Sequence, residues 1–250
     1  MWKGTTTFNC LKLNLPAMKF VSVLPVMLIS ALLVSCSGGV NDLDRNGLKG
    51  KVKETREFQC DPTYENQNWI ASDNCIEGHR VVEYDNKGYY KQAFSISTEG
   101  DTTTLSTAKR ENGDVVEETF YTRMYMTPIH SKLVVNTVTK MERISDKQVD
   151  FEVWQNEQLR YSGSTYYDSK GRIERQVQVV NNQEVTTHHF YDKNLLVEIF
   201  QEDPSGLHSA RQLYEYSEFD KKGNWTLRLV YNGDEKIKPE MAITREIEYY

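Results

Sequence analysis

Three times in this chain an aromatic residue is followed by aspartate, two polar residues and glycine. The copies are Tyr84-Asp85-Asn86-Lys87-Gly88, Tyr167-Asp168-Ser169-Lys170-Gly171 and Phe219-Asp220-Lys221-Lys222-Gly223. Tyr191-Asp192-Lys193-Asn194 is a fourth copy without the glycine. Aspartate at the first position of a type I turn accepts bonds from backbone N–H groups two residues on, and glycine three positions later supplies the positive φ that closes a bulged hairpin. The preceding aromatic suits the end of an incoming strand. Asp168 to Asp192 is 24 residues, Asp192 to Asp220 is 28, and Asp85 to Asp168 is 83, close to three or four such periods. A period of this size marks a supersecondary unit used repeatedly. Two strands of about eight to ten residues and two turns fill one unit. Asp85, Gly88, Asp168, Gly171, Asp192, Asp220 and Gly223 are therefore read as turn residues, not as ligands or acids.

Turn clusters of a second kind fall between or just after the copies: Asn112-Gly113, Asn181-Asn182, Pro204-Ser205-Gly206 and Asn232-Gly233. The C-terminal third thus parses as an up-and-down meander. Ile173, Val177 and Val179 are expected on one face opposite Glu174, Gln176 and Gln178. Trp225, Leu227, Leu229 and Tyr231 are expected to share a face opposite Thr226 and Arg228, each strand having one buried and one wet side. Residues 51–59, 81–84, 89–97, 102–110, 115–126, 151–154 and 159–167 read as further strands, whereas 127–148 is less regular, interrupted at Pro128. The expected fold is all-β: an antiparallel meander of repeated hairpins, roughly a dozen strands, forming a twisted sheet whose edges are either free or rolled together.

The 250 residues carry 30 Lys and Arg against 36 Asp and Glu, a net charge of −6. Setting aside Lys3, Lys12 and Lys19, the part from Cys36 onward has 27 cationic and 36 anionic side chains, or −9. An acidic chain without a basic stripe argues against nucleic-acid binding.

Residues 18–39 carry Lys19, an apolar stretch from Phe20 to Val34, Ser35 and then Cys36. This is the pattern of a secretory signal, too short for a stable membrane span. Leu33-Val34-Ser35-Cys36 resembles the bacterial lipobox, which implies that Cys36 becomes a lipidated N-terminus anchored in a membrane. Residues 1–17 precede that signal awkwardly, so translation starting at Met18 is the alternative to Met1. The chain then divides into a signal region (1–35), a lipidated flexible tether (36–47) and a single repeat-built β domain (48–250). Asp42, Asp44, Asn46 and Gly47 match half of an EF-hand loop, but its twelfth position is Lys53 rather than glutamate, so the segment reads as solvated tether ending in a turn.

Cys60 and Cys75 flank a polar stretch read as a loop. In an exported protein they most simply form a disulfide, worth about 3 kcal/mol for a loop of roughly 15 residues in the chain-entropy model. Two cysteines with no histidine at ligand spacing do not make a zinc site. Tyr64 and Trp69 in this stretch are candidate ligand-binding aromatics for a sugar or peptide; the plainer reading is that Trp69 closes over a sheet end.

The turn phrase resembles the YD or RHS-type repeat, best at Tyr167-Asp168-Ser169-Lys170-Gly171-Arg172. The segments Leu48-Lys49-Gly50-Lys51-Val52-Lys53, Phe219-Asp220-Lys221-Lys222-Gly223-Asn224-Trp225-Thr226 and Thr244-Arg245-Glu246-Ile247-Glu248-Tyr249-Tyr250 resemble the opening and ending of small repeat-bearing lipoproteins of Bacteroidota. That resemblance implies an antiparallel β scaffold at the periplasmic or outer face of the envelope. It carries over no catalytic residue.

Other candidates are plain. His188 and His189 are adjacent on a strand, so they point to opposite faces and are expected as surface or edge residues. Glu117-Glu118 is an acidic pair with nothing to suggest desolvation. Asn224-Trp225-Thr226 is a sequon but reads as a turn exit. No phosphate loop, nucleophile elbow or His-Glu-x-x-His is present. No catalytic residue, metal ligand or cofactor is assigned. The leading expectation is a non-catalytic, lipid-anchored envelope scaffold or a module binding a glycan or protein. The alternatives are a glycan-acting or other envelope enzyme with its site near the Cys60–Cys75 loop, and an accessory or immunity partner of a toxin system.

Overall fold

The computed structural model describes residues 41–127 and 130–250; Cys36 and the export segment lie outside the described residues. One helical turn, α1 (Asp42–Arg45), precedes fourteen strands: β1 (Val52–Glu65), β2 (Asn68–Tyr84), β3 (Tyr90–Ile96), β4 (Thr102–Glu111), β5 (Asp114–Thr127), β6 (His130–Ser145), β7 (Gln148–Gln155), β8 (Gln158–Tyr167), β9 (Ile173–Val180), β10 (Gln183–Asp192), β11 (Leu195–Glu202), β12 (Gln212–Phe219), β13 (Trp225–Asn232) and β14 (Met241–Tyr249). Each strand pairs with the next in sequence. β1 also pairs antiparallel with β14, from Val52↔Tyr249 to Cys60↔Ala242, so the meander closes into a barrel. Closure gives every described strand a neighbour on both sides, although the β11–β12 ladder is only two residue pairs long and β1 runs past β14 beyond Cys60.

An up-and-down barrel has two rims, and every second hairpin turn falls on the same one. All four aromatic-Asp copies therefore lie on one rim, which is why their spacing is two strands long. Asp85 Oδ1 accepts from the backbone N–H of Lys87 and Tyr89, both at 2.9 Å. Asp168 does the same with Lys170 and Arg172, and Asp220 with Lys222 and Asn224. Gly88, Gly171 and Gly223 each take a positive φ, between 75° and 84°. Asp192 differs: it ends β10 opposite Leu195, and a two-residue turn with Lys193 at φ 55° follows. Asp203 repeats the bulged turn on the opposite rim, accepting from Ser205 and Leu207 N–H with Gly206 at φ 81°. The Pro204-Ser205-Gly206 cluster is thus not a second turn class. Asn66-Gln67, Asn156-Glu157 and Asn181-Asn182 are two-residue turns with both residues at positive φ, the mirror-image geometry that matches strand twist.

Residues opposite each other in antiparallel strands share a face. One row runs Arg245, Glu57, Arg80, Ser95, Thr104, Thr122 from β14 through β5. A second runs Ala108, Glu118, Thr139, Val153, Tyr161 from β4 to β8. These rows face the lumen. The complementary rows face outward, for example Glu117, Lys140, Glu152, Ser162, Val179 and Glu184 from β5 to β10.

Bulges overturn two expected face assignments. Tyr166 pairs with Arg175 but Tyr167 pairs with Ile173, so Glu174 is an extra residue and the alternation slips. Ile173 is consequently buried with Val149 and Tyr167, while Val177 and Val179 face outward. In the same way Trp225 pairs with Phe219 after a double shift and packs with Tyr214, Val230 and Ile243. Leu227, Leu229 and Tyr231 pack on the opposite face with Cys60 and Ala242. β13 is therefore buried on both faces, against the expectation of one wet side.

Two stretches expected as irregular are strand. Residues 61–65 and 68–75 extend the β1–β2 hairpin rather than forming a loop, and β6 runs sixteen residues to Ser145. Pro62 is tolerated because β1 has left β14 by that point and needs no ladder donor there.

Gly163 on β8 leaves no room for a side chain: a Cβ there would lie 2.0 Å from Val177 O and 2.7 Å from Phe151 Cζ. Gly163→Ala is expected to destabilise the barrel by about 2–3 kcal/mol through overpacking. Urea denaturation measures it; a loss under 0.5 kcal/mol would refute the close contact.

Candidate functional site: a plugged rim and a charged lumen

The stretch expected as the end of a solvated tether, 42–47, crosses the mouth of the aromatic-Asp rim. Asn41 caps α1, its side chain accepting from Asp44 N–H at 3.0 Å and donating to Lys87 O at 3.0 Å. Leu43 N–H donates to Gly88 O. Gly88 is needed twice over, for its positive φ and because a Cβ would sit 2.6 Å from Asn41 Nδ2. Asp42 is fully buried, accepts from Tyr90 N–H at 2.6 Å and forms an ion pair with Arg110. Burial raises its carboxyl above the usual range against the pull of Arg110, the Tyr90 N–H and Arg45. Asn46 Nδ2 donates to Tyr84 OH at 3.2 Å, and the Arg45 guanidinium lies over the Tyr167 ring. Beyond α1, Lys49 N–H donates to Asn224 Oδ1 and Lys49 O accepts from Asn224 Nδ2. Residues 41–49 thus touch the ends of β2, β4, β8 and the turn before β13. The tether reading fails for 42–47 because Asp42 and Leu43 find buried partners that local sequence cannot announce. Asn224, read as a turn exit within a sequon, is buried and clasps this segment.

Behind the plug the lumen is charged. Arg245 donates Nε and Nη2 to Glu57 Oε1, at 3.0 and 2.5 Å. Burial alone would raise the Glu57 carboxyl, but the Arg245, Arg228 and Arg80 guanidiniums outweigh it and hold it at about 2. Glu118 is the reverse case. Burial pushes it up to about 7, only partly offset by the Ser106 hydroxyl and Arg80. The acidic pair thus does contain a desolvated member, because Glu118 sits on the lumenal row while Glu117 faces outward. Tyr84 and Tyr90, also lumenal, have hydroxyls raised by burial.

His188 and His189 do diverge. His188 stacks on Phe200 and lies 3.2 Å from Glu202, whereas burial of His189, together with neighbouring His188, lowers it to about 4. His189 is half-buried on the lumenal side, where closure places its face.

On the far rim Cys60 and Cys75 oppose each other across β1 and β2 and form the expected disulfide. Trp69 and Cys75 pack against the Cys60, Leu227, Leu229, Tyr231 and Ala242 cluster. Tyr64 pairs with Trp69, ring centroids 5.0 Å apart, and is 58% exposed. A shallow depression of about 550 Å³ lies beside this hairpin, lined by Asp61, Pro62, Lys238, Pro239 and Glu240. Tyr64 and Trp69 are not among its lining residues. Among the described residues, no three His, Cys, Asp or Glu side chains group as metal ligands.

No family model and no curated protein matches the chain. Among solved structures it is similar to a porin-like protein from Bacteroides vulgatus, at 12% identity and a TM-score of 0.44, over 81% of this chain and 99% of that one. A porin-like protein from Bacteroides uniformis matches at 9% identity and a TM-score of 0.30, over 79% and 96%. A chain of the TcdB2-TccC3-TEV structure matches at 11% identity and a TM-score of 0.22, over 66% of this chain but 11% of that one. At these scores none of the three bears on family, activity or ligand.

Two outcomes are expected. Replacing both Cys60 and Cys75 by serine should lower stability by about 3 kcal/mol in urea denaturation under oxidising conditions, with no such gap when both proteins are reduced. Glu118 has a folded value of about 7 and an unfolded value near 4.5. Between these the folded state holds a proton that the unfolded chain has lost, so wild-type stability falls as pH rises through that window. The advantage of Glu118→Gln over wild type should grow by about 3 kcal/mol from pH 4.5 to pH 8. A pH-independent difference between the two proteins contradicts the buried carboxyl.

Proposed function

We propose that this chain is an exported, lipid-anchored envelope protein whose barrel stands in water and acts as a non-catalytic scaffold or binding module. The observation that carries this reading is the outer wall. The outward row Glu117, Lys140, Glu152, Ser162, Val179, Glu184 places charges on neighbouring strands, and Glu54, Glu83 and Glu248 form another such row. A charge facing lipid is costly, roughly 2–4 kcal/mol for a lysine near mid-bilayer and less for a carboxylate, so a wall with this many charges favours water over a spanning role. Attachment must then come from elsewhere, and the lipobox-like Leu33-Val34-Ser35-Cys36 supplies it. The Cys60–Cys75 disulfide fits an oxidising compartment outside the cytoplasm.

Four residues separate Cys36 from Asn41, and the five chain steps between them span at most about 18 Å. A lipid on Cys36 therefore holds the plugged rim toward the membrane and turns the far rim, with Tyr64 and the disulfide hairpin, toward glycan or protein ligands. Cys36→Ala should abolish metabolic labelling with palmitate and release the protein from the membrane fraction. Persistent labelling of the variant would refute the anchor.

A further inference from the structure

We infer that the barrel lumen contains a binding site for an oxyanion, of the carboxylate, sulfate or phosphate kind, held between Arg228 and Arg245. Both residues sit on lumenal positions of adjacent strands, Arg228 opposite Ile243 on β14 and Arg245 two residues further along that strand. One indole fixes both: the guanidinium of Arg245 lies 3.4 Å and that of Arg228 4.7 Å from the Trp225 ring centroid. Arg228 also lies over Tyr214 at 5.1 Å. Two cations are thus held against one indole, although each disfavours the other.

Their hydrogen bonds are incomplete in a telling way. Arg245 spends Nε and Nη2 on Glu57, leaving Nη1 buried with no partner. Arg228 is bonded to the Tyr216 hydroxyl, yet its Nε is likewise buried with no partner. A buried guanidinium N–H left unpaired is costly, more so when its charge is uncompensated. Arg80, opposite Glu57 on β2, adds a third cation to the same row. Against these three stand Glu57, already paired, and Glu118, whose charged form burial disfavours. On these lumenal rows arginines outnumber carboxylates, and two of the arginines hold buried donors without a partner.

Guanidinium donors recognise oxyanions by paired, charge-assisted hydrogen bonds, and stacking pre-orders them for that role. Water could satisfy the two N–H groups but would leave the charge. The polar lining continues from Arg80 through Ser95, Thr104 and Thr122, whose hydroxyls would solvate the remainder of a ligand bearing the anionic group. This site lies inside the barrel and is independent of the anchor argued for Cys36.

The test uses the full chain in mild detergent, titrated with sodium sulfate against sodium chloride at matched ionic strength. Intrinsic tryptophan fluorescence and thermal unfolding are read together, because Trp225 touches both arginines. The expected result is a saturable, sulfate-specific fluorescence change with a rise in Tm. Arg228→Gln should weaken it at least tenfold, and the outward-facing Arg56→Gln should leave it unchanged. Should Arg228→Gln fail to fold, Arg80→Gln serves in its place and should weaken the response severalfold. Parallel titrations with inorganic phosphate and with galacturonate distinguish a free inorganic anion from the carboxylate of a larger ligand. A wild-type response that is absent or does not saturate overturns the site. So does a response equal in the wild type and the lumenal variants, which would leave the donors to water.

Discussion

The pairing of β1 with β14 is the contact on which the barrel depends. It joins residues nearly two hundred positions apart, so its closure entropy is met only when thirteen local hairpin pairings have already brought the ends together. Each of those pairings is sequential, and all but the β11–β12 and β13–β14 connections are short turns. The closing seam instead needs lateral support, and it has it on both faces. Glu57 and Arg245 pair across the seam on the lumenal side, while Cys60 and Ala242 share an apolar cluster on the other. The disulfide from Cys60 to Cys75 then ties the seam strand to its other neighbour. Removing the seam would expose two long edges on a chain rich in β-forming residues, a hazard for aggregation.

Closure also decides the chemistry of each face. A meander left open would have an apolar side packed on something else and a polar side in water. Here the lumen is narrow enough to bury ionisable groups yet is lined by Arg, Glu, Tyr, Ser and Thr, so the same enclosure depresses Glu57 and raises Glu118. The two carboxyls differ in partner rather than in burial. Glu57 has three guanidiniums around it, whereas Glu118 has a hydroxyl and one arginine. The outer wall remains charged, and its best apolar cluster lies under the β1–β2 hairpin near the disulfide.

The turns were legible because their cause is local. Asp85, Asp168 and Asp220 bond to N–H groups within four residues, so residue type and spacing suffice to place them. The faces were less legible. A single extra residue at Glu174 moved Ile173 into the core and sent Val177 and Val179 outward, and the shifts around Ser217 did the same to Trp225. Bulges leave no strong composition signal, and alternation read through one is inverted beyond it. Glu118 and His189 were misplaced for a related reason. Nothing in their neighbours marks which face becomes the inside.

From its sequence alone this protein is determined to be an antiparallel meander with punctuated hairpins and a cysteine pair suited to a disulfide, since each property rests on contacts short in sequence. The tertiary structure alone decided that the sheet closes, that residues 41–49 plug one rim, and that Arg80, Arg228 and Arg245 converge in a common lumen. Those outcomes depend on groups brought together from opposite ends of the chain. Asp42 meets Arg110 and Lys49 meets Asn224 only once the barrel exists, and no local pattern encodes a partner that closure supplies.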